Sequence, residues 1–124
     1  MRLLLDTHVL IWVFEGSPLE EDVLETIQNP DNIIFVSAVT AWEIAIKRKL
    51  GKLQVPYDYQ EQLKLHRFVP LAITDDHALA TENLPLHHND PFDRLLIAQA
   101  QVEDLTLVSR DSIFEAYEVS LIKA

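Results

Sequence analysis

The sequence predicts an α/β fold in which a parallel sheet is covered by helices on both faces. Two observations lead to this class. Short runs at 3–5, 33–36 and 105–108 are almost wholly apolar, as is typical of strands buried on both faces. Longer amphipathic stretches separate these runs, and such alternation is the pattern of a parallel sheet. The 124 residues suffice for one core, and we expect a single domain over residues 1–124.

The first half of the chain divides at turn-forming residues. Gly16-Ser17-Pro18 ends the first helix and Asn29-Pro30 ends the second, because glycine and proline interrupt helices. Ser37 suits the cap of the third helix, and Gly51 stands at the end of that helix. The predicted elements are strand 2–5, helix 7–15, helix 19–28, strand 33–36 and helix 38–50.

The second half is predicted from the same kinds of residue. Asp90 suits the cap of a long helix, and Pro91 suits its first turn, where a missing N–H costs nothing. Pro70 weakens the third strand, because proline cannot donate to a sheet. The predicted elements are helix 58–66, strand 68–72, a short helix from Thr74 or Asp75 to about Thr81, a polar loop at 85–89, helix 91–103, strand 106–108, one helical turn at 112–116 and strand 118–122.

The chain is strongly acidic, with a formal net charge of −10. This is unusual for a protein that binds a polyanion, so either the partner is not nucleic acid or a metal ion neutralises part of the acid. A basic cluster at Lys47, Arg48, Lys49 and Lys52 suits the C-terminal turn of a helix and can also contact phosphate. The absence of cysteine fits the cytoplasm, and no apolar stretch is long enough to cross a membrane.

Four carboxylates occupy positions that favour a metal site. Asp6 ends the first apolar run, and Asp111 closely follows the run before Ser109. Glu43 and Asp93 each interrupt the apolar face of a helix, which costs several kcal/mol, roughly, unless the charge is paired or bound to a cation. Ligands of parallel sheets bind beyond the carboxyl ends of the strands. The four acids therefore predict a site for a hard cation such as Mg²⁺ or Mn²⁺.

Each carboxylate also has a purely structural interpretation. Asp6 can cap the first long helix, and Asp111 can cap the turn at 112–116. Asp93 lies three residues after the Asp90 cap, where the acid of a capping box stands. Glu43 lies in the middle of a helix and can cap nothing, although an arginine partner would explain it.

Several neighbours of these acids are open to more than one interpretation. The hydroxyls of Thr7 and Ser109 can each orient a water molecule or a carboxylate. Arg94 can pair with a carboxylate or contact a phosphate. His87-His88 lies in a polar loop and is interpreted as exposed, and Trp42 is interpreted as a core residue.

Four segments in this order and spacing carry a resemblance to a known family. They are Leu5-Asp6-Thr7-His8, Ser37 through Trp42-Glu43-Ile44, Asp90 through Ala98, and Ser109-Arg110-Asp111. With them the chain resembles the PIN domain, and within it the VapC-type toxins of bacterial toxin–antitoxin pairs. The resemblance extends from Met1 to about Ile122, and its most specific part is the segment from Asp90 to Ala98.

This resemblance implies a three-layer α/β/α fold around a five-stranded parallel sheet. It implies a metal-dependent ribonuclease whose acidic residues correspond to Asp6, Glu43, Asp93 and Asp111. It also implies an RNA substrate, a cognate antitoxin that blocks the acidic pocket, and a homodimer. A water activated by the metal would attack phosphorus and leave a 5′-phosphate and a 3′-hydroxyl.

Other functions make different demands on the sequence. A phosphorylation receiver needs an acidic pair after the first strand, where Asp6 stands alone, and an Asp-x-Asp phosphatase needs an acid in place of His8. A structure-specific DNA nuclease of related fold remains an alternative. So does a non-enzymatic acidic interaction module, although its acids should lie on exposed faces, which does not suit Glu43.

Overall fold

The computed structural model describes residues 1–124, and its five strands form one sheet. The elements in chain order are β1 (Arg2–Leu5), α1 (Thr7–Glu15), α2 (Glu21–Gln28), β2 (Ile33–Ser37), α3 (Ala38–Lys49), α4 (Tyr59–Leu65), β3 (Val69–Leu71), α5 (Asp75–Ala80), α6 (Pro91–Glu103), β4 (Thr106–Ser109) and β5 (Leu121–Lys123). Two short 3₁₀ turns cover Thr81–Asn83 and Ser112–Ala116. None of the helices has the length and apolar character needed to cross a bilayer.

The sheet has the strand order β3-β2-β1-β4-β5, and every neighbouring pair is parallel. β1 lies at the centre, with Leu4 opposite Phe35 on β2 and opposite Leu107 on β4. β3, which contains Pro70, lies at an edge of the sheet. This order confirms the predicted α/β fold with a parallel five-stranded sheet.

Alternation along β1 divides the core into two apolar layers. Leu3 and Leu5 belong to one buried cluster, which also takes side chains from α1, α2 and α4. Leu4 points to the other face and belongs to a cluster built mainly on α6 and β4. Successive strand residues point to opposite faces, so a strand that is apolar throughout must be covered on both. The three-layer α/β/α arrangement follows from this.

Three predictions about local structure are wrong in detail. The last strand begins at Leu121 rather than at 118, because the chain first turns around the buried Tyr117, where Val119 N donates to Tyr117 O at 3.0 Å. α2 begins at Glu21 rather than at 19. Trp42 is not a core residue: it is 56% exposed and packs edge-on against Phe92, with 5.2 Å between ring centres.

Candidate acidic site

The carboxyl ends of β1 and β4 build the first part of the site. These strands are neighbours in the sheet, with Leu5 opposite Val108. The Asp6 N–H donates to the Val108 carbonyl at 3.1 Å, which extends the pairing to the point where both strands end. The Ser109 hydroxyl donates a hydrogen bond to Asp6 Oδ2. Residues about a hundred positions apart therefore meet at one edge of the sheet, as the parallel arrangement requires.

Asp6 has both a structural and a potentially chemical role. Its Oδ1 accepts from Val9 N at 2.8 Å and so caps α1, as predicted from the sequence. The side chain is nevertheless buried, and burial raises the pKa of Asp6 despite the hydrogen bonds from Ser109 and Val9, which lower it. A capping role alone does not require this burial at the sheet edge.

Glu43 is buried on α3 and both of its carboxylate oxygens have partners. Thr7 donates to Oε1 at 2.6 Å, and Lys47 Nζ lies 2.6 Å from Oε2. The partner of this charge is thus a lysine one helical turn away, and not an arginine. Because Thr7 directly follows Asp6, its hydroxyl fastens Glu43 to the same edge of the sheet. This pairing gives Glu43 a structural role of its own.

Asp93 stands in the first turn of α6, and its side chain is 22% exposed. Burial and the neighbouring carboxylates together raise the pKa of Asp93 to about 7; burial is the largest cause, and the carboxylates follow in the order Asp90, Glu43, Asp6 and Asp111. All three of the other candidate acids therefore act electrostatically on this one carboxyl group. Asp90 caps the helix by accepting from Phe92 N at 2.9 Å, and Asp93 itself accepts no capping hydrogen bond.

Asp111 forms the exposed rim of the site. Its carboxylate caps the turn at 112–116 by accepting from Ile113 N at 3.0 Å, as its structural interpretation predicted. Its backbone N–H donates to the Ser109 hydroxyl oxygen at 3.0 Å, so Ser109 links Asp111 to Asp6. Asp6 and Asp111 line one open pocket of about 270 Å³, together with His8, Trp12 and Arg110.

The family model of the PIN domain matches residues 3–119. The chain belongs to the PIN-domain family. The matched residues include all four candidate acids. The resemblance to the PIN domain that the sequence motifs indicated is therefore confirmed.

Three solved structures share this PIN fold. VapBC2 from Rickettsia felis, bound to a DNA fragment from their promoter, has a chain 17% identical with a TM-score of 0.76, covering 99% of this PIN domain and 98% of that chain. A toxin–antitoxin complex from Klebsiella pneumoniae matches at 24% identity and a TM-score of 0.67, with 98% and 96% covered. VapBC-5 from Mycobacterium tuberculosis matches at 20% identity and 0.63, with 99% and 98% covered. Identities this low establish a common fold. No curated protein sequence matches.

The chemistry of this PIN-domain site fits a hard divalent cation, while its side chains do not form a closed set of ligands. No three His, Cys, Asp or Glu side chains are close enough together to hold a metal ion. The four acids do supply only oxygen donors, which Mg²⁺ and Mn²⁺ prefer. The crowding that raises the pKa of Asp93 is also what a cation would relieve. Asp6, Asp93 and Asp111 are the better candidates for ligands, since the Lys47 ammonium already neutralises Glu43, whereas the hydrogen-bond donors to Asp6 and Asp111 are uncharged.

Arg94 of the PIN domain has a role that the sequence did not reveal. Its guanidinium donates to the carbonyls of Pro85 at 2.8 Å, Thr81 at 3.1 Å and Leu84 at 3.2 Å. It contacts no carboxylate within salt-bridge distance, so of the two interpretations that the sequence left open, pairing with an acid is not found. Because backbone carbonyls are its partners, no pattern of side chains could have indicated this arrangement. Arg94 instead shapes the loop that leads to α6.

The basic cluster of the PIN domain separates into bound and free charges. Lys47 pairs with Glu43, and Arg48 donates to the Tyr57 carbonyl at 3.1 Å. Lys49 and Lys52 are exposed and form no salt bridge. Lys47–Lys49 also lie in the last turn of α3, which is consistent with the predicted interaction with the helix dipole.

Proposed function

We propose that this PIN domain is a metal-dependent endoribonuclease and the toxin of a toxin–antitoxin pair. The observation that supports this most is the convergence of carboxylates on Asp93, whose pKa is raised by burial and by four other acids. Charges of one sign are gathered in this way mainly where a cation or a reaction needs them. Membership of the PIN family and the toxin–antitoxin complexes among its structural relatives support the same role.

Asp6, Asp93 and Asp111 would hold Mg²⁺ or Mn²⁺, with Glu43 beside them. A bound cation supplies an acidic water and neutralises phosphate charge. The Ser109 hydroxyl and the Val9 N–H fix the two oxygens of Asp6, so this carboxylate is held in one orientation. The Thr7 hydroxyl and Lys47 likewise fix Glu43.

RNA is the proposed substrate, and the free charges near the end of α3 suit its backbone. Lys49 and Lys52 are exposed and can contact phosphates that flank the cleaved bond. The net charge of −10 opposes a tight, sequence-independent grip, so binding should be weak and selective. We further propose a cytoplasmic homodimer, inhibited by an antitoxin that covers the acidic edge.

Cleavage of matched RNA and DNA strands tests this function. The protein is incubated with each strand in Mg²⁺, in Mn²⁺ and in chelator, alongside Asp6→Asn and Asp93→Asn. We expect cleavage of RNA that requires the metal and is lost in both variants. The control variant Asp76→Asn, which changes an exposed acid outside the site, should cleave RNA like the wild type. DNA cleavage alone would indicate a DNA nuclease. Full activity in chelator, or in both site variants, would contradict the proposal.

A further inference from the structure

His88 lies between the acidic site and the buried ring of Tyr117. Its side chain is only 18% exposed, so the expectation of an exposed loop histidine is wrong. Nδ1 lies 2.7 Å from the Tyr117 hydroxyl oxygen. Nε2 is buried and makes no hydrogen bond, yet it lies 3.5 Å from Asp93 Oδ2. A buried ring nitrogen beside a carboxylate needs an explanation, because an unpaired polar atom is costly to bury.

The neighbours of the ring determine which nitrogen carries the proton. Arg94 Nη1 donates to the Tyr117 oxygen at 3.4 Å, and a guanidinium can only donate. The tyrosine proton is then free to be donated to Nδ1 of His88, which leaves Nε2 as the protonated nitrogen. When Asp93 is ionised, as it must be to bind a cation, the opposite tautomer would direct the lone pair of Nε2 at a carboxylate, which is repulsive. Both considerations favour an Nε2–H that faces Asp93.

The His88 ring is also held in place on its Nδ1 side by Tyr117 and, through it, by Arg94. Tyr117 is 5% exposed, and its ring packs against that of His88 with 5.5 Å between centres. Arg94, which contacts the same hydroxyl, is itself anchored by the carbonyls of the loop at 81–85. His88 therefore presents its Nε2–H from a supported position. A small side-chain adjustment would shorten 3.5 Å to a normal hydrogen bond, as often happens when a site becomes occupied.

We propose that His88 is a positioning residue that holds the Asp93 carboxylate by its Oδ2 and leaves Oδ1 directed toward the acidic site. The proposal rests on the proposed function, in which Asp93 binds the cation. A carboxylate that binds a metal is commonly oriented by a hydrogen bond from a residue that does not itself touch the metal. Removal of such a hydrogen bond weakens metal binding about 10- to 100-fold. The chain Arg94–Tyr117–His88–Asp93 connects the loop before α6 to the site.

Two amide substitutions distinguish the two ring nitrogens. In His88→Gln the side-chain N–H₂ can reach the place of Nε2, whereas in His88→Asn it can reach only that of Nδ1. We expect His88→Gln to bind Mn²⁺ within about 3-fold of the wild type and His88→Asn to lose about 10- to 100-fold, measured by electron paramagnetic resonance without RNA. His87→Asn, at the exposed neighbouring position, is the matched control and should bind normally. Equal midpoints of urea unfolding would show that lost folding is not the cause.

Nitrogen NMR of the histidine rings gives a second readout that needs no metal. We expect the Nε2–H tautomer at His88 in the wild-type protein, and a changed Nε2 resonance in Asp93→Asn. An Nδ1–H tautomer, or equal Mn²⁺ affinity in the Gln and Asn variants, would overturn the positioning role. If those results came with Mn²⁺ binding that still depended on Asp93, the proposed function would stand without it. If Asp93→Asn bound Mn²⁺ like the wild type, the proposed function would fail, and the positioning role with it.

Discussion

Replacing Asp93 with asparagine should stabilise the metal-free protein, and the gain should depend on pH. The pKa of Asp93 rises from an ordinary 3.8 to about 7 in the folded chain. Between these values the folded state keeps a proton that the unfolded state has released, so stability falls as pH rises through this window. The full difference corresponds to at most about 4 kcal/mol, and this cost is wholly present above about pH 7. Asparagine carries no charge and avoids it.

Urea unfolding in chelator measures this effect. At about pH 8 we expect Asp93→Asn to be more stable than the wild type by up to about 4 kcal/mol, and at about pH 5.5 by roughly half as much. Work nearer the isoelectric point of about 4.7 would favour precipitation. The control, Asp76→Asn, changes an exposed acid in the first turn of α5 and should shift stability by less than about 1 kcal/mol at either pH. An Asp93→Asn protein no more stable than the wild type at the higher pH would refute the reasoning.

Three further substitutions address the groups that hold the carboxylates. Thr7→Val removes the donor to the buried Glu43 and should lower the free energy of unfolding in urea by about 1–3 kcal/mol. Thr7→Ser keeps the hydroxyl and should lower it clearly less, whereas equal losses of stability in the two variants would argue against a role for the hydroxyl. Ser109→Ala removes a hydrogen bond that lowers the pKa of Asp6, so the pKa of the Asp6 carboxyl should rise, measured by carbon NMR of that carboxyl in the metal-free protein; an unmoved pKa would contradict this. Arg94→Lys should speed hydrogen exchange across the loop at 81–88, since one ammonium cannot satisfy several carbonyls; unchanged exchange would exclude this role.

The sequence predicted best those features that follow from the spacing of residues along a single strand or helix. The apolar runs of β1 and β4 predicted buried parallel strands, and the rule that strand ends share an edge predicted that Asp6 and Asp111 meet, as they do in one pocket. Helix periodicity predicted that Glu43 faces the interior, where it is found. These inferences needed only the spacing of residues along one element.

The remaining features depend on contacts that spacing cannot reveal. A lysine four residues after a glutamate is common on exposed helix surfaces. The pairing of Lys47 with Glu43 is important only because this glutamate is buried. The exposure of Trp42 depends on what the other elements leave uncovered. The placement of His88 depends on its contact with Tyr117, which lies far from it in the sequence. The turn around Tyr117 is also the reason that β5 begins only at Leu121.

The most direct test of a metal site at this sheet edge is anomalous diffraction from crystals soaked in Mn²⁺. We predict one strong peak at the carboxyl ends of β1 and β4, within about 2.0–2.4 Å of oxygens of Asp6 and Asp93. Crystals of Asp93→Asn should lose the peak. Wild-type crystals that show no peak at this edge in saturating Mn²⁺, or a peak bound only by acids elsewhere on the surface, would contradict the account.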